Sequence, residues 1–142
     1  MENATHTTHR AVSAVLDGAP YTTRITARGL AFLADEPVDL GGADTGPRPH
    51  ELLLASLASC TAITLRMYAD RKGWDTGAIQ VDATLQREQR GRDIESRIGL
   101  EISFGNAALD GAQRERLAQI ARSCPVHRTL ESPLRMAVSV KG

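Results

Sequence analysis

The chain has little cysteine, no net charge and no long uncharged run. Its 142 residues include two cysteines, Cys60 and Cys124, 64 positions apart. Two are too few for the disulfide framework of a small secreted domain, and the gap is too wide for a metal knuckle built on a short turn. Lys plus Arg equal Asp plus Glu at 17 each, so no basic field exists to hold a phosphate backbone and nucleic acid is not an expected partner. Met1 to Arg10 is polar and rich in Thr and His. It lacks the basic and apolar regions of an export signal, and residues 1–9 are expected to form a flexible tail. The longest uncharged stretch, Leu52 to Leu65, is shorter than the roughly eighteen residues that cross a membrane. The expectation is a cytoplasmic protein with no membrane partner, one domain over residues 1–142, and any disulfide transient and chemical.

Alternation and turn signals define the elements. Arg10 to Leu16, Tyr21 to Ala27 and Leu30 to Ala34 are separated by Asp17-Gly18 and Arg28-Gly29, which predicts a three-stranded antiparallel meander. Asp35 to Arg48 carries three glycines and two prolines without periodicity, the signature of a long loop. Pro49 and Gly73 bracket a helix whose first two-thirds has no polar face beyond Ser and Thr, so its own sheet covers only one side and a second helix or subunit is needed for the other. Ala78 to Gln89 and Asp93 to Phe104 form a hairpin about Arg90-Gly91-Arg92. Asp110 with Gln113 reads as a capping box opening a second helix, and Pro133 to Val140 alternates as a last strand. Strands in runs with helices between them indicate an α+β fold.

Each cysteine stands in a distinct setting. Cys60 closes an apolar helical run, whereas Cys124 opens Cys124-Pro125-Val126-His127-Arg128. Proline favours the first helical position, so Cys124 either caps a short new helix, where unpaired N–H groups lower a thiol pKa, or ends the preceding helix with Pro125 as its stop. Both readings stay open on sequence. So does burial of either cysteine as a small hydrophobe.

Taken together, Asp35-Glu36-Pro37, Gly41-Gly42, the run from Gly46 to Cys60, Thr61 to Ala69, and Cys124-Pro125-Val126-His127 resemble the OsmC/Ohr family of thiol-dependent hydroperoxide reductases. The branch with Cys-Pro-Val-His at the second cysteine is the most similar. The resemblance implies an OsmC-like fold, an intertwined homodimer in which antiparallel sheets wrap two long central helices. It implies that Cys60 attacks the peroxide and that Cys124 resolves the sulfenic acid as a disulfide. It further implies a small organic hydroperoxide as substrate and an external thiol as reductant, with no cofactor.

In the reductase branch an arginine positioned by a glutamate ionises the first cysteine. The glutamate's position is held here by His50, with Glu51 one place later, and Arg24 and Arg28 are the nearest candidates for the arginine. Cys60, Cys124, Glu51 and Arg24 are the expected catalytic residues, with His50 and His127 as supporting groups. A mixed thiolate and imidazole metal site is set aside, because only Cys124 and His127 are near in sequence. The rival reading is a binding protein or redox sensor that holds a small hydrophobic ligand in an apolar cleft without turnover.

Overall fold

The computed structural model describes residues 4–142. The chain divides into two compact units, one ending at Leu52 and the other spanning Leu53–Gly142.

In the first unit, β1 (Ser13–Val15), β2 (Thr23–Ala27) and β3 (Leu30–Ala34) form the expected antiparallel meander in the order β1-β2-β3. The two-residue turn between β2 and β3 places Arg28 at φ 52° and Gly29 at φ 80°, the left-handed pair that a tight hairpin requires. After β3 the chain enters the predicted loop, broken only by a single 3₁₀ turn at Val38–Leu40.

Asp35 organises that loop. Its carboxylate accepts from the Thr45 hydroxyl at 2.6 Å, the Glu36 N–H at 2.8 Å, the Thr22 hydroxyl at 2.9 Å and the Thr45 N–H at 3.2 Å. The loop backbone passes so close that a Cβ at Gly42 would run into the Glu36 carbonyl, and one at Gly46 into that of Leu33. The Thr45 hydroxyl holds the Asp35 carboxyl well below the usual carboxylate range against the opposing effect of burial, helped by the Glu36 N–H, the Thr22 hydroxyl and the Thr45 N–H.

A depressed carboxyl pKa stabilises the folded state fully above the unfolded value of about 4 and progressively less as pH falls below it. Asp35→Asn is therefore expected to lower the melting temperature near neutral pH. The difference from the parent should shrink as melts are repeated from about pH 7 down to about pH 2.5, because below about pH 4 the unfolded chain takes up a proton that the folded carboxylate does not. A difference independent of pH would show that the carboxylate charge is not what holds the loop.

Helix α1 (Pro49–Lys72) begins where expected: Pro49 is its first residue, and the Glu51 carboxylate accepts the Arg48 N–H at 2.8 Å, closing the helix start from within. It ends at Gly73, which takes φ 69° while the Trp74 N–H donates back to the Ala69 carbonyl at 2.9 Å. Although Leu52 to Leu65 alone is too short to span a bilayer, the whole 24-residue helix is long and apolar enough to do so, with an 18-residue window of mean hydropathy 1.5. A single interruption at Arg66 ends the uncharged run without making the helix polar. The core helix of a soluble protein meets the same criterion, and only 28% of this window is buried.

In the second unit, β4 (Ile79–Arg90) and β5 (Asp93–Phe104) pair antiparallel from Ile79↔Phe104 to Arg90↔Asp93, the turn narrowing to Gly91 and Arg92. Helix α2 (Gly111–Ala121) opens on the predicted capping box: Asp110 accepts the Gln113 N–H at 2.7 Å, and the Gln113 side chain accepts the Asp110 N–H at 2.9 Å. Leu65, Leu109, Leu117 and Ala121 form the core, packed by Tyr68, Trp74, Ile79, Ile102, Phe104 and Ile120. On α1 the buried residues are Leu57, Thr61, Leu65 and Ala69, every fourth position and hence one stripe.

The C-terminal strand expected over Pro133 to Val140 does not form. Met136, Val138 and Val140 are each more than nine-tenths exposed. An alternating segment becomes a strand only when a neighbour completes its ladder, and neither described sheet adds one here.

Candidate active site

The two cysteines meet. Helix α3 (Pro125–Glu131) is separate from α2, with Pro125 at its start and Cys124 at its cap, which decides between the two sequence readings of that residue. Both cysteines are free thiols, Cys60 partly exposed on α1 and Cys124 fully buried. They lie close enough for each thiol to shift the acidity of the other.

The surroundings of the pair are unequal. Burial works against a Cys124 thiolate but is outweighed by donation from the Cys60 thiol, the His127 N–H, the Thr61 hydroxyl and the Val126 N–H, so the Cys124 pKa falls below that of an ordinary thiol. Burial pushes the Cys60 thiol up, and its hydrogen bond to Cys124 pushes it further, against weaker donation from the Val126 N–H and the Thr64 hydroxyl. The surroundings therefore favour a thiolate at Cys124 over one at Cys60. The Thr61 hydroxyl also lies 2.8 Å from the Leu57 carbonyl. Its single proton serves either the carbonyl or the Cys124 sulfur at one time.

His127 follows Cys124 by three residues. Its Nε2 lies 3.1 Å from Glu131 Oε1, one turn along α3. The two side chains join Leu57, Ser96, Ile98, Leu100 and Leu130 around a cavity of about 260 Å³. Leu57 in that wall precedes Cys60 by one helical turn.

The remaining expected site residues belong to the first unit. Arg24 stands on the exposed side of β2, away from Thr23 and Ile25, with Val15 and Leu33 as cross-strand neighbours. His50 and Glu51 line a recess of about 440 Å³ with Glu36, Arg48 and Pro49. There Arg48 Nε donates to Glu36 Oε2 at 3.0 Å. Half-exposed pairs of this kind contribute about 0–1 kcal/mol, so the contact orients the side chains more than it stabilises the fold.

The OsmC-like protein family matches residues 41–139. The chain belongs to that family. A Haloferax volcanii protein of uncharacterized function is 30% identical over 101 residues, covering 70% of this chain and 74% of that one. Among solved structures, an OsmC-like protein from Mycoplasma pneumoniae superposes with a TM-score of 0.68 at 21% identity, over 87% of this chain and 88% of that one. An organic hydroperoxide resistance protein OsmC from Legionella pneumophila gives 0.66 at 17% identity, over 89% and 92%. The fold is thus the α+β OsmC/Ohr fold read from the sequence.

For an OsmC-like chain, the residues absent from the sequence reading are informative. Thr64 lies one helical turn after Cys60, a spacing that the sequence alone carries. Thr61 and the N–H groups of Val126 and His127 reach Cys124 only because α1 and α3 come together, for which no local motif exists. The Arg48–Glu36 pair supplies an arginine and a carboxylate in contact, whereas the sequence pointed to Arg24 and Glu51. Glu51 accepts the Arg48 N–H as a helix cap.

Proposed function

We propose that this OsmC-like protein is a cysteine-based peroxidase acting on small organic hydroperoxides, working as a homodimer of one domain per chain. The observation that carries the reading is that Cys60 and Cys124 lie close enough to shift each other's acidity, Cys60 upward and Cys124 downward. Cys60 is the attacking sulfur because it retains solvent access, and Cys124 is both the base that accepts its proton and the resolving thiol. Arg24, Glu51 and His50 remain supporting candidates by family resemblance alone.

The redox balance is as follows. Cys60 attacks the distal oxygen of the hydroperoxide, the O–O bond breaks, the Cys60 proton passes to Cys124, and the products are Cys60 sulfenic acid and an alkoxide. Cys124 then attacks the sulfenic sulfur, its proton leaves with the hydroxyl as water, and a disulfide remains for an external thiol to reduce. Adding one equivalent of tert-butyl hydroperoxide to the reduced protein is expected to cost two hydrogens per chain by intact mass, with loss of both free thiols. Accumulation of Cys60 sulfinic acid beside a free Cys124 would reject the resolving role.

The apolar part of the 260 Å³ cavity, formed by Leu57, Ile98, Leu100 and Leu130, also fits the rival reading of a hydrophobic ligand binder. A binder would show ligand-dependent thermal stabilisation in the parent and in both cysteine variants alike, without peroxide consumption.

The dimer is supported by surface left open in the single chain. Opposite the buried stripe of α1, Ile63 and Met67 are 55% and 62% exposed, and Leu134, Met136, Val138 and Val140 form an alternating apolar segment without a ladder. A second copy covers such surface in a two-fold assembly.

A further inference from the structure

We propose that His127, oriented by Glu131, is the proton donor to the departing alkoxide. This rests on the peroxidase reading and goes beyond the roles of the two cysteines.

The ionised cysteine pair holds one proton, the hydroperoxide brings one, and the products, one alcohol, one water and a disulfide, need three. One proton must therefore come from outside the pair during each oxidation. An alkoxide is a strong base and a poor leaving group, so the proton is most useful if it arrives while the O–O bond breaks.

His127 is placed for that delivery. It stands three residues after Cys124, and its backbone N–H is among the groups that lower the Cys124 pKa. Its ring forms part of the cavity wall together with Leu57, one helical turn before Cys60. Nε2 lies 3.1 Å from Glu131 Oε1, a partner that can hold one ring nitrogen while the other serves as donor. A protonated imidazole carries a proton on both nitrogens, so it can hold Glu131 with one and release the other. The apolar walls accept the organic substituent of the hydroperoxide, and the polar side of the cavity consists of Ser96, His127 and Glu131.

The backbone and side chain of His127 can be separated by experiment. His127→Gln keeps the N–H that supports Cys124 and removes only the ionisable ring. The rate of peroxide consumption should be compared for tert-butyl hydroperoxide, which releases a basic alkoxide, and peracetic acid, which releases acetate and needs no proton. Background is measured with the Cys60→Ser variant and reduction is driven by a dithiol. Loss of a general acid costs about 10²-fold or more with the alkoxide leaving group, whereas the peracetic acid rate should stay within about threefold of the parent.

Iodoacetamide alkylation of the reduced thiols should proceed at the parent rate, because a group that merely positions the cysteines would alter it. Glu131→Gln, a milder change, should give the same substrate selectivity with a smaller loss. Equal loss on both substrates, or altered alkylation, would overturn the proposal while leaving the peroxidase reading intact. If the parent consumes neither substrate, the peroxidase reading fails and the proton donor fails with it.

Discussion

Cys60→Ser is expected to reduce peroxide consumption to the uncatalysed background, the largest effect any single substitution in this chain should have. A serine hydroxyl is too weak an acid to supply an anionic nucleophile at neutral pH, and the buried Cys124 cannot replace it without access to the peroxide. Cys124→Ser should behave differently. It removes the sulfur that draws the Cys60 proton away, so the first oxidation slows. It also removes the resolving thiol, so Cys60 accumulates as sulfenic and then sulfinic acid.

The two variants also test the assignment of roles. Acidity favours Cys124 as the nucleophile and access favours Cys60. Access prevails because a sulfur with no exposed surface cannot align with an O–O bond, and because the less acidic thiol gives the stronger nucleophile once its proton is removed. If Cys124 were the attacking residue, Cys60→Ser would still be oxidised once by peroxide and Cys124→Ser would not react. Mass spectrometry of each variant after one equivalent of cumene hydroperoxide distinguishes these outcomes. With the cysteine pair intact, the rate should rise with pH as the first proton leaves and level off below the ordinary thiol value of about 8.5, since the structure lowers the pKa of Cys124.

What could be read in the sequence were the features that depend on neighbours along the chain. The Asp110 to Gln113 capping box, the left-handed Arg28-Gly29 turn and the Pro49 to Gly73 limits of α1 follow from local chemistry, and each forms as read. Glu51 carries a second, local signal: a glutamate three residues after Arg48 is also a helix-start residue, and it accepts the Arg48 N–H. The contact between Cys60 and Cys124 was not legible from spacing, because no local rule brings together residues 64 apart; only family resemblance paired them. The C-terminal segment marks the opposite limit. Alternation in Leu134, Met136, Val138 and Val140 reports which side chains favour burial, but it does not say which surface will bury them.

That surface decides the last prediction. Ile63→Glu is expected to convert a dimer into folded monomers at micromolar concentration, as measured by light scattering. The position matters. Leu57 lies on the same helix but is only 3% exposed within its own chain, so a carboxylate there would disrupt the protomer and give an ambiguous result. Ile63 is 55% exposed and can be changed while the stripe of Leu57, Thr61, Leu65 and Ala69 stays packed. In a two-fold interface every substitution occurs twice. Withdrawing two isoleucines from apolar contact costs about 3–6 kcal/mol, roughly 10² to 10⁴ in the dissociation constant, before the cost of burying two like charges is added. Far-ultraviolet circular dichroism of the variant should match the parent. A parent that is already monomeric would remove the dimer from the proposal. A parent dimer unaffected by Ile63→Glu would move the interface away from this face of α1, leaving its exposed apolar surface to be covered by something other than a second copy.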